Sequence, residues 1–354
     1  EIGVRLVGSE MCIRDSITAI HAPVLLQDCV DLVTPSLHHQ GAIVADCTLG
    51  LAGHATAFLK AAPFATLIGI DRDSEALSLA TQRMRSEGLE NRFIPAHAAF
   101  DEIDEVLQEN SIDRIDAAFM DLGLSSLQID ETDRGFSYSH DTALDMRMDT
   151  TQATTAATIL ATYDSRELTR IFREYGEERF ASPIARRIVE VRATEPIATS
   201  GQLVSLVDSV IPKAHRATGN PAKRVFQALR IEVNGELDKL SRTLPKIALH
   251  LREHGRLVVE SYHSLEDTAV KRFMNQGLTV DVPANMPVIP DDAQPFFKAL
   301  TRGAMKASKE EIVHNTRSSS VRLRAVELCR PIPERWIPRL EDEAAGRKAI
   351  KGGR

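Results

Sequence analysis

The sequence lacks several features that would place the chain in a specialised class of protein. Its four cysteines are scattered, with no C-x-x-C pair and no Cys/His cluster at zinc spacing, so neither a disulfide framework nor a metal site is predicted. No run approaches the ~18 apolar residues of a membrane span. The net charge is −7, so any nucleic-acid binding must come from local basic patches. We expect a protein of a reducing, cytoplasmic setting, with no membrane span.

The beginning of the chain also lacks any recognisable pattern. The stretch EIGVRLVGSEMCIRDS has no helical or strand period, and it lacks the basic end and apolar core of a signal peptide. We therefore expect residues 1–16 to be extraneous to the domain. The chain has 354 residues, of which 43% are hydrophobic, and this is enough for two domains with a proper core.

Strands and helices alternate in the first third of the sequence. Buried strands are predicted at 42–45, 66–70, 92–96 and 115–120, and helices at 54–60, 74–85 and 101–109. Asp73 or Ser74 is the expected N-cap of the second of these helices. Short links between alternating elements indicate parallel strands in an α/β layered fold.

A long insertion separates the fourth strand from the fifth. The next strand pattern is RLVVES at 256–261, more than 100 residues later, whereas an ordinary crossover unit needs roughly 30. Apolar residues at helical spacing fill the gap, so we predict a helical insert. The expected division is a core of residues 17–140 and 236–354, with a helical substrate-recognition domain at 141–235.

Three predicted strands end in an aspartate, namely Asp46, Asp71 and Asp121. Ligands of such sheets bind beyond the carboxyl ends of the strands, so these acids are candidate site residues. An acid that ends the second strand suits a ribose, because a carboxylate accepts hydrogen bonds from both hydroxyls. Dinucleotide enzymes and methyltransferases share this feature.

The loop after the first strand lacks the G-x-G that a dinucleotide fingerprint requires. It reads Gly50-Leu51-Ala52-Gly53-His54. S-adenosylmethionine carries no phosphate and needs room for a carboxylate and an ammonium group. The loop therefore favours a methyl donor over a nicotinamide dinucleotide, although a plain strand–turn–helix with glycines only for the turn is the alternative.

Several long motifs resemble one known family. They include DCTLGLAGHAT at 46–56, DRGFSYSHDTALDMRMD at 133–149, FQALRIEVNGEL at 226–237 and SYHSLEDTAVKRF at 261–273. Together with shorter motifs, they resemble the bacterial small-subunit (16S) ribosomal RNA cytosine-N4 methyltransferases from about residue 21 to 325. The resemblance implies a class I, Rossmann-like methyltransferase core with an inserted helical subdomain, and methyl transfer to a cytosine near the decoding centre.

The resemblance also implies the residues that bind S-adenosylmethionine. These are Ala52, Gly53, His54, Asp71, Phe100, Asp121 and Gln128. Several positions depart from the family pattern; among them, the family has glycine where this chain has Ala52 and phenylalanine where it has Tyr262. An alanine is tolerated at this point of the loop only if its backbone angle accepts a Cβ.

Asp121 and His263 are the candidate catalytic residues. Cytosine N4 is a poor nucleophile, so the enzyme must hold it in line with the methyl group and accept a hydrogen bond from the amine. Asp121 is the first candidate for this role, with cofactor binding or helix capping as its alternatives. His263 is either a proton acceptor or a structural histidine, while Glu266 and Asp267 are expected to cap the next helix.

An acid-free basic segment is the expected contact with RNA phosphates. Its cations are Lys213, Arg216, Lys223, Arg224 and Arg230. The expected partner is 16S ribosomal RNA in the small subunit, and a homodimer is a further expectation from the family. The alternatives are a ribosome-assembly factor without catalysis and a methyltransferase for another amine.

Overall fold

A computed structural model describes residues 23–125, 134–138, 140–215, 220–280, 282 and 289–347. The strands are β1 Ile43–Asp46, β2 Thr66–Asp71, β3 Phe93–His97, β4 Ile115–Asp121, β5 Leu251–Ser261, β6 Phe297–Ala299 and β7 Arg322–Leu328. The helices are α1 Leu26–Val33, α2 Gly53–Ala61, α3 Ser74–Ser86, α4 Ile103–Glu109, α5 Ala156–Thr162, α6 Ser165–Glu174, α7 Ala181–Arg192, α8 Ser200–Val210, α9 Lys223–Asn234, α10 Glu236–His250, α11 Ser264–Leu278, α12 Lys309–His314 and α13 Ile337–Ala344.

Seven strands form one sheet in the order β3-β2-β1-β4-β5-β7-β6. The first five pair in parallel, whereas β7 runs antiparallel to both β5 and β6. The chain moves outward from β1 to β3 and then returns to β4 on the other side of β1. This reversal puts the carboxyl ends of β1 and β4 side by side, which is where ligands of such sheets bind.

Both faces of the sheet are covered by apolar side chains. Alternate residues of a strand point to opposite faces, so Ala118 and Met120 belong to one core while Ala117 and Phe119 belong to the other. Burial on both faces explains why β4 reads as an almost continuous apolar run. The α/β fold class predicted from the sequence is confirmed.

The predicted elements agree with the observed ones to within a few residues, except at β5. This strand begins at Leu251, five residues before the predicted start at Arg256. Its first part carries exposed polar residues, and its pairing with β4 is irregular between Ile115 and Ala117. The apolar pattern is therefore visible only in the second half. Asp73 is the N-cap of α3 as predicted, because its Oδ1 accepts from the amides of Glu75 and Ala76.

The chain divides into two compact units. One comprises the chain up to Gly123 and from Leu240 onward, and contains the sheet; the other is Leu124–Lys239. The second unit is wider at both ends than the insert of 141–235 expected from the sequence. It contains α5 to α9 around an apolar core of its own.

A buried asparagine organises the second unit. Asn234 Nδ2 donates to the carbonyl oxygen of Met146 at 2.8 Å, and its Oδ1 accepts from the amide of Met148 at 2.9 Å. Between these two residues, Arg147 forms a bidentate ion pair with Asp145, in which Nε and Nη2 each lie 2.7 Å from one carboxylate oxygen. The motifs LDMRMD and EVNGEL are thus joined by hydrogen bonds, which the sequence spacing does not reveal.

Candidate active site

The loop between β1 and α2 crosses the carboxyl edge of the sheet. The amide of Cys47 donates to the carbonyl of Phe119, and the amide of Leu49 donates to that of Ile70, so the loop is tied to the strands on both sides. Gly50 and Ala52 both adopt left-handed backbone conformations, with φ of 51° and 58°. Two left-handed residues two positions apart turn the chain sharply into α2, which begins at Gly53.

Gly53 has a packing reason for being glycine. A Cβ at this position would lie 2.6 Å from Cγ of Pro23, too close for any real side chain. Packing against Pro23 is therefore a reason for glycine at position 53 that does not depend on a ligand. The roles of Ala52 and Gly53 in cofactor binding stay predictions.

Asp71 fastens the loop from the end of β2. Its Oδ2 accepts from the amide of Gly50 at 2.8 Å, and its Oδ1 accepts from the amide of Asp73 at 2.9 Å. Burial raises the pKa of this carboxyl, while the two amides act in the opposite direction. Each carboxylate oxygen retains a second lone pair, which is available to a ribose hydroxyl. Asp71 can therefore hold the loop and a ribose at once.

Asp46 is buried at the end of β1, with 1% of its surface exposed. Its Oδ1 accepts from the amide of Thr48 at 3.1 Å. Burial, reinforced by the charges of Asp121 and Asp71, raises its pKa from 3.8 to about 8. Asp46 is accordingly protonated at neutral pH unless a positive charge comes close to it.

This pKa predicts how the stability of the protein depends on pH. Since the pKa is about 8 in the folded protein and 3.8 without burial, the folded state binds an extra proton between these values. The free energy of unfolding should therefore fall as the pH rises through that window. Asp46→Asn cannot ionise and should be more stable than the wild type at pH 9, by up to a few kcal/mol at about 1.4 kcal/mol per pKa unit. Urea unfolding at pH 5 and 9 measures this difference.

The matched control for Asp46 is Asp113→Asn, which makes the same change at a side chain that is 93% exposed. It should leave the pH dependence of unfolding as it is in the wild type. If Asp46→Asn also retains the wild-type pH dependence of unfolding, Asp46 is ionised in the folded protein and its pKa is not raised.

Asp121 ends β4 and is held from three sides. Its amide donates to Thr48 Oγ1 at 2.6 Å, its Oδ1 accepts from the Tyr262 hydroxyl at 2.8 Å, and its Oδ2 lies 3.8 Å from His54 Nδ1. Burial raises the pKa of the carboxyl, whereas the hydrogen bond from Tyr262 acts in the opposite direction. The side chain keeps 30% of its surface exposed, so a ligand can reach it.

His54 is a buried, neutral imidazole. Its Nε2 lies 2.8 Å from the carbonyl oxygen of Val24, which can only accept, so we place the proton on Nε2. Burial lowers its pKa. The ring packs against Phe119, with centroids 4.6 Å apart. His54 therefore joins α2 to the segment before α1 and leaves Nδ1 facing Asp121.

Phe100 and Gln128 are the two remaining residues predicted to bind the cofactor. Phe100 begins a single turn of 3-10 helix after β3, and its ring is half-buried against the core. Gln128 lies outside the described residues. The cofactor roles of both stay predictions.

His263 is the N-cap of α11. Its Nδ1 faces the amide of Glu266 at 3.4 Å, and Glu266 Oε2 accepts from the amides of Tyr262 and His263 at 2.8 and 3.2 Å. The capping role expected for Glu266 is confirmed. Asp267 instead pairs with Arg324 at 2.7 Å, so the expectation that it caps the helix is wrong. The catalytic role of His263 stays a prediction.

Sequence reasoning missed Glu260, which lies next to Asp121. The two residues are direct partners across β4 and β5. Glu260 is fully buried, and within the described part of the chain no N–H or O–H group donates a hydrogen bond to its carboxyl oxygens. The signal in the sequence was a single acid inside the apolar run RLVVES. A strand buried on both faces has no reason to carry an acid there.

The basic segment is only partly available for RNA. Lys213, Lys223 and Arg224 are exposed. Arg230 instead forms a bidentate ion pair with Glu236 at 2.8 and 2.9 Å, and its contact with RNA stays a prediction. Arg216 lies outside the described residues.

None of the helices in the described ranges combines the length and the hydropathy that a bilayer crossing requires.

Comparisons with known proteins give the family. The model of the MraW methylase family matches residues 18–329 of this chain. The Ribosomal RNA small subunit methyltransferase H of Bifidobacterium animalis subsp. lactis (strain AD011) is 68% identical over 327 residues, covering 92% of this chain and 93% of that protein. The protein of the same name from Beutenbergia cavernae is 49% identical over 322 residues, covering 91% and 96%.

One solved structure with some likeness to this chain has a low TM-score. It is an rRNA methylase from Streptococcus thermophilus, with a TM-score of 0.36 and 11% sequence identity. The match covers 86% of this chain and 94% of that one.

Proposed function

The chain belongs to the MraW methylase family, and from this premise we propose that it methylates small-subunit ribosomal RNA with S-adenosylmethionine as donor. The proposed target is the N4 amine of a cytosine near the decoding centre. The RNA substrate is supported by the names of the relatives, and the N4 target by the motifs of the sequence. The observation that carries the proposal is the group of three carboxyl side chains, Asp46, Asp71 and Asp121, at the carboxyl edge of the sheet.

The donor set fits S-adenosylmethionine. The cofactor carries a sulfonium and an ammonium charge, and nearby positive charge stabilises the ionised forms of carboxyls whose pKa burial has raised. Asp71 retains lone pairs for a ribose. Asp46 and Asp121 lie at the carboxyl ends of the adjacent strands β1 and β4.

The residues of the chain position the reacting amine. When bound, S-adenosylmethionine supplies the electrophilic methyl group. The Asp121 carboxylate accepts a hydrogen bond from the cytosine amine, which directs the nitrogen toward the methyl group, and it takes the amine proton that is lost as the N–C bond forms. For this role Asp121 must be ionised, and its bond from Tyr262 favours that form.

The test is methylation of purified small ribosomal subunits or free 16S RNA, taken from a strain deleted for the gene. Incubation with the protein and labelled S-adenosylmethionine should yield N4-methylcytidine in nucleoside mass spectrometry. Label in a different nucleoside would favour a methyltransferase for another amine. Binding to the subunit without any label would favour an assembly factor. Comparison of the two substrates identifies which form of the RNA is used.

Lys223 and Arg224 are proposed to contact RNA phosphates from the start of α9. Reversing both charges, in Lys223→Glu/Arg224→Glu, should weaken RNA binding about tenfold or more at low salt. It should also reduce the slope of log affinity against log salt by about 2, since each phosphate contact contributes about 0.7–0.9. Filter binding across a salt series measures both quantities, and calorimetry should show unchanged affinity for S-adenosylmethionine.

The control is another exposed Lys-Arg pair, in Lys271→Glu/Arg272→Glu on α11. This variant makes the same change of charge away from α9. Equal weakening of RNA binding in both variants would mean that only net charge matters. Unchanged RNA affinity in the Lys223/Arg224 variant would remove α9 from the RNA surface.

A cytoplasmic location and a homodimer are further parts of the proposal, and light scattering tests the dimer.

A further inference from the structure

Glu260 is a buried acid that the proposed reaction does not yet use. It is fully buried near the end of β5, and no N–H or O–H donor in the described part of the chain bonds either carboxyl oxygen. An ionised carboxylate in such a place has a high free-energy cost. The side chain must therefore be neutral, paired with a ligand, or both.

The register of the sheet places Glu260 against Asp121. They are direct partners on the parallel strands β4 and β5, and they point to the same face. Tyr262, two residues further along the chain from Glu260, shares this face and donates to Asp121 Oδ1 at 2.8 Å. His54 lies between the acids, with Nε2 3.7 Å from Glu260 Oε2 and Nδ1 3.8 Å from Asp121 Oδ2.

Other titratable groups face this pair from the surrounding elements. They are Asp46 on β1, Cys29 on α1, His54 on α2, Glu266 on α11 and Glu311 on α12. His54 already donates to Val24 and is neutral, so it offers no proton to either acid. Cys29 is buried, and burial raises the pKa of its thiol. No group in this set neutralises two adjacent carboxylates.

We propose that Glu260 is a positioning residue: it stays a neutral carboxylic acid and donates its proton in a hydrogen bond to the Asp121 carboxylate. With the Tyr262 hydroxyl on Oδ1, this bond keeps Asp121 ionised and oriented toward the acceptor amine. The inference deepens the proposed function and rests on it for the role of Asp121. The proton stays on Glu260 throughout, so the methyl-transfer step itself is unchanged.

The electrostatics agree with this distribution of one proton between two acids. Burial is the largest cause that raises the pKa of both carboxyls, and the total rise is larger for Glu260. A hydrogen bond between them lowers the pKa of Asp121 and raises that of Glu260. When two carboxyls share a site, one of them keeps the proton. Here it is Glu260, whose carboxyl has only the weak Cys29 thiol as another donor, whereas Asp121 accepts from the Tyr262 hydroxyl.

The direction in which the pH profile of kcat/KM shifts on mutation tests the proposal. The rate of methyl transfer should fall at low pH as Asp121 becomes protonated. Glu260→Leu removes a donor from Asp121, so this acid limb of kcat/KM should move to higher pH, by about one unit for one hydrogen bond to a charged group. Tyr262→Phe should move it in the same direction. Glu260→Gln keeps a neutral N–H donor and should restore the wild-type profile.

An ionised Glu260 gives the opposite result. Removing a negative charge beside Asp121 would favour its ionised form, so both Glu260→Gln and Glu260→Leu would move the acid limb to lower pH. That outcome overturns the proposal. Thermal unfolding and S-adenosylmethionine affinity of each variant show whether a shift reflects damage to the fold.

Infrared spectroscopy of the protein without cofactor gives an independent readout. Wild-type protein at neutral pH should show absorption of protonated carboxyl groups, and Glu260→Gln should lose part of it. Asp46→Asn is the reference for a second buried acid. A spectrum unaffected by Glu260→Gln contradicts the proposal. If the wild type methylates no RNA, the proposed function fails while this readout still decides the protonation of Glu260.

Discussion

Asp121→Asn should lower kcat/KM for methyl transfer by about 10²–10⁴-fold, the usual contribution of a group that handles a proton at the reacting atom. The amide has nearly the shape of the carboxylate but carries no charge. It can still accept from the Tyr262 hydroxyl, which now bonds a carboxylate oxygen at 2.8 Å. The fold should therefore survive, and the loss should fall on the reaction. Single-turnover methylation of RNA, with cofactor and RNA both saturating, measures the chemical step.

The same variant separates the two roles open to Asp121. If the carboxylate orients the amine, the dissociation constant for S-adenosylmethionine stays near that of the wild type while the single-turnover rate falls. If the carboxylate holds the cofactor, the dissociation constant rises and the rate recovers at saturating cofactor. Asp113→Asn, at a side chain that is 93% exposed, is the control for the substitution itself. A variant with a wild-type rate under all these conditions would remove Asp121 from the mechanism.

The sequence was a good guide wherever a feature depends on neighbouring residues. Strand β4 is apolar without a break from Ala117 to Met120, and α3 begins directly after Asp73 because a carboxylate there can accept from two amides. The same local logic placed Asp71 and Asp121 at the ends of their strands. Parallel strands bring such ends to one edge, so the site followed from the order of the elements.

Features that depend on distant partners could not be predicted in this way. The role of Glu260 depends on Asp121, its partner on β4. This pairing could not be predicted, because it depends on the register of β5, which follows a long insertion. Arg230 looked like a free cation until its ion pair with Glu236 was seen. The motif SYHSLED is compatible with either a catalytic or a capping role for His263. The geometry adds the capping contact.

Ala52 is the feature of the cofactor loop with the sharpest consequence for stability. It has φ of 58° and ψ of 33°, a left-handed conformation that costs an L-residue roughly 1–2 kcal/mol. Its side chain is completely buried. Its carbonyl oxygen accepts from both the amide and the hydroxyl of Thr56, at 3.0 and 2.6 Å, so the conformation is fixed by the start of α2.

Ala52→Val should destabilise the protein by about 2–5 kcal/mol. A β-branched side chain is a genuine outlier in the left-handed region. Two extra methyl groups in a fully buried site add an overpacking cost of about 1–3 kcal/mol. Because the loop cannot turn around a valine at this position without shifting, affinity for S-adenosylmethionine should fall as well. Urea unfolding and calorimetry measure the two effects.

Two further variants separate the cost of the left-handed backbone at residue 52 from the cost of overpacking. Ala55→Val makes the same change in the first turn of α2, at another fully buried alanine, so it carries the overpacking cost without the left-handed strain. Ala52→Gly relieves that strain but loses a buried methyl, worth about 0.8 kcal/mol, and gains unfolded-state entropy worth about 0.4–1 kcal/mol. These terms nearly cancel, so this variant should match the wild type in stability and cofactor affinity. If Ala52→Val is no worse than Ala55→Val, residue 52 is not left-handed in the protein.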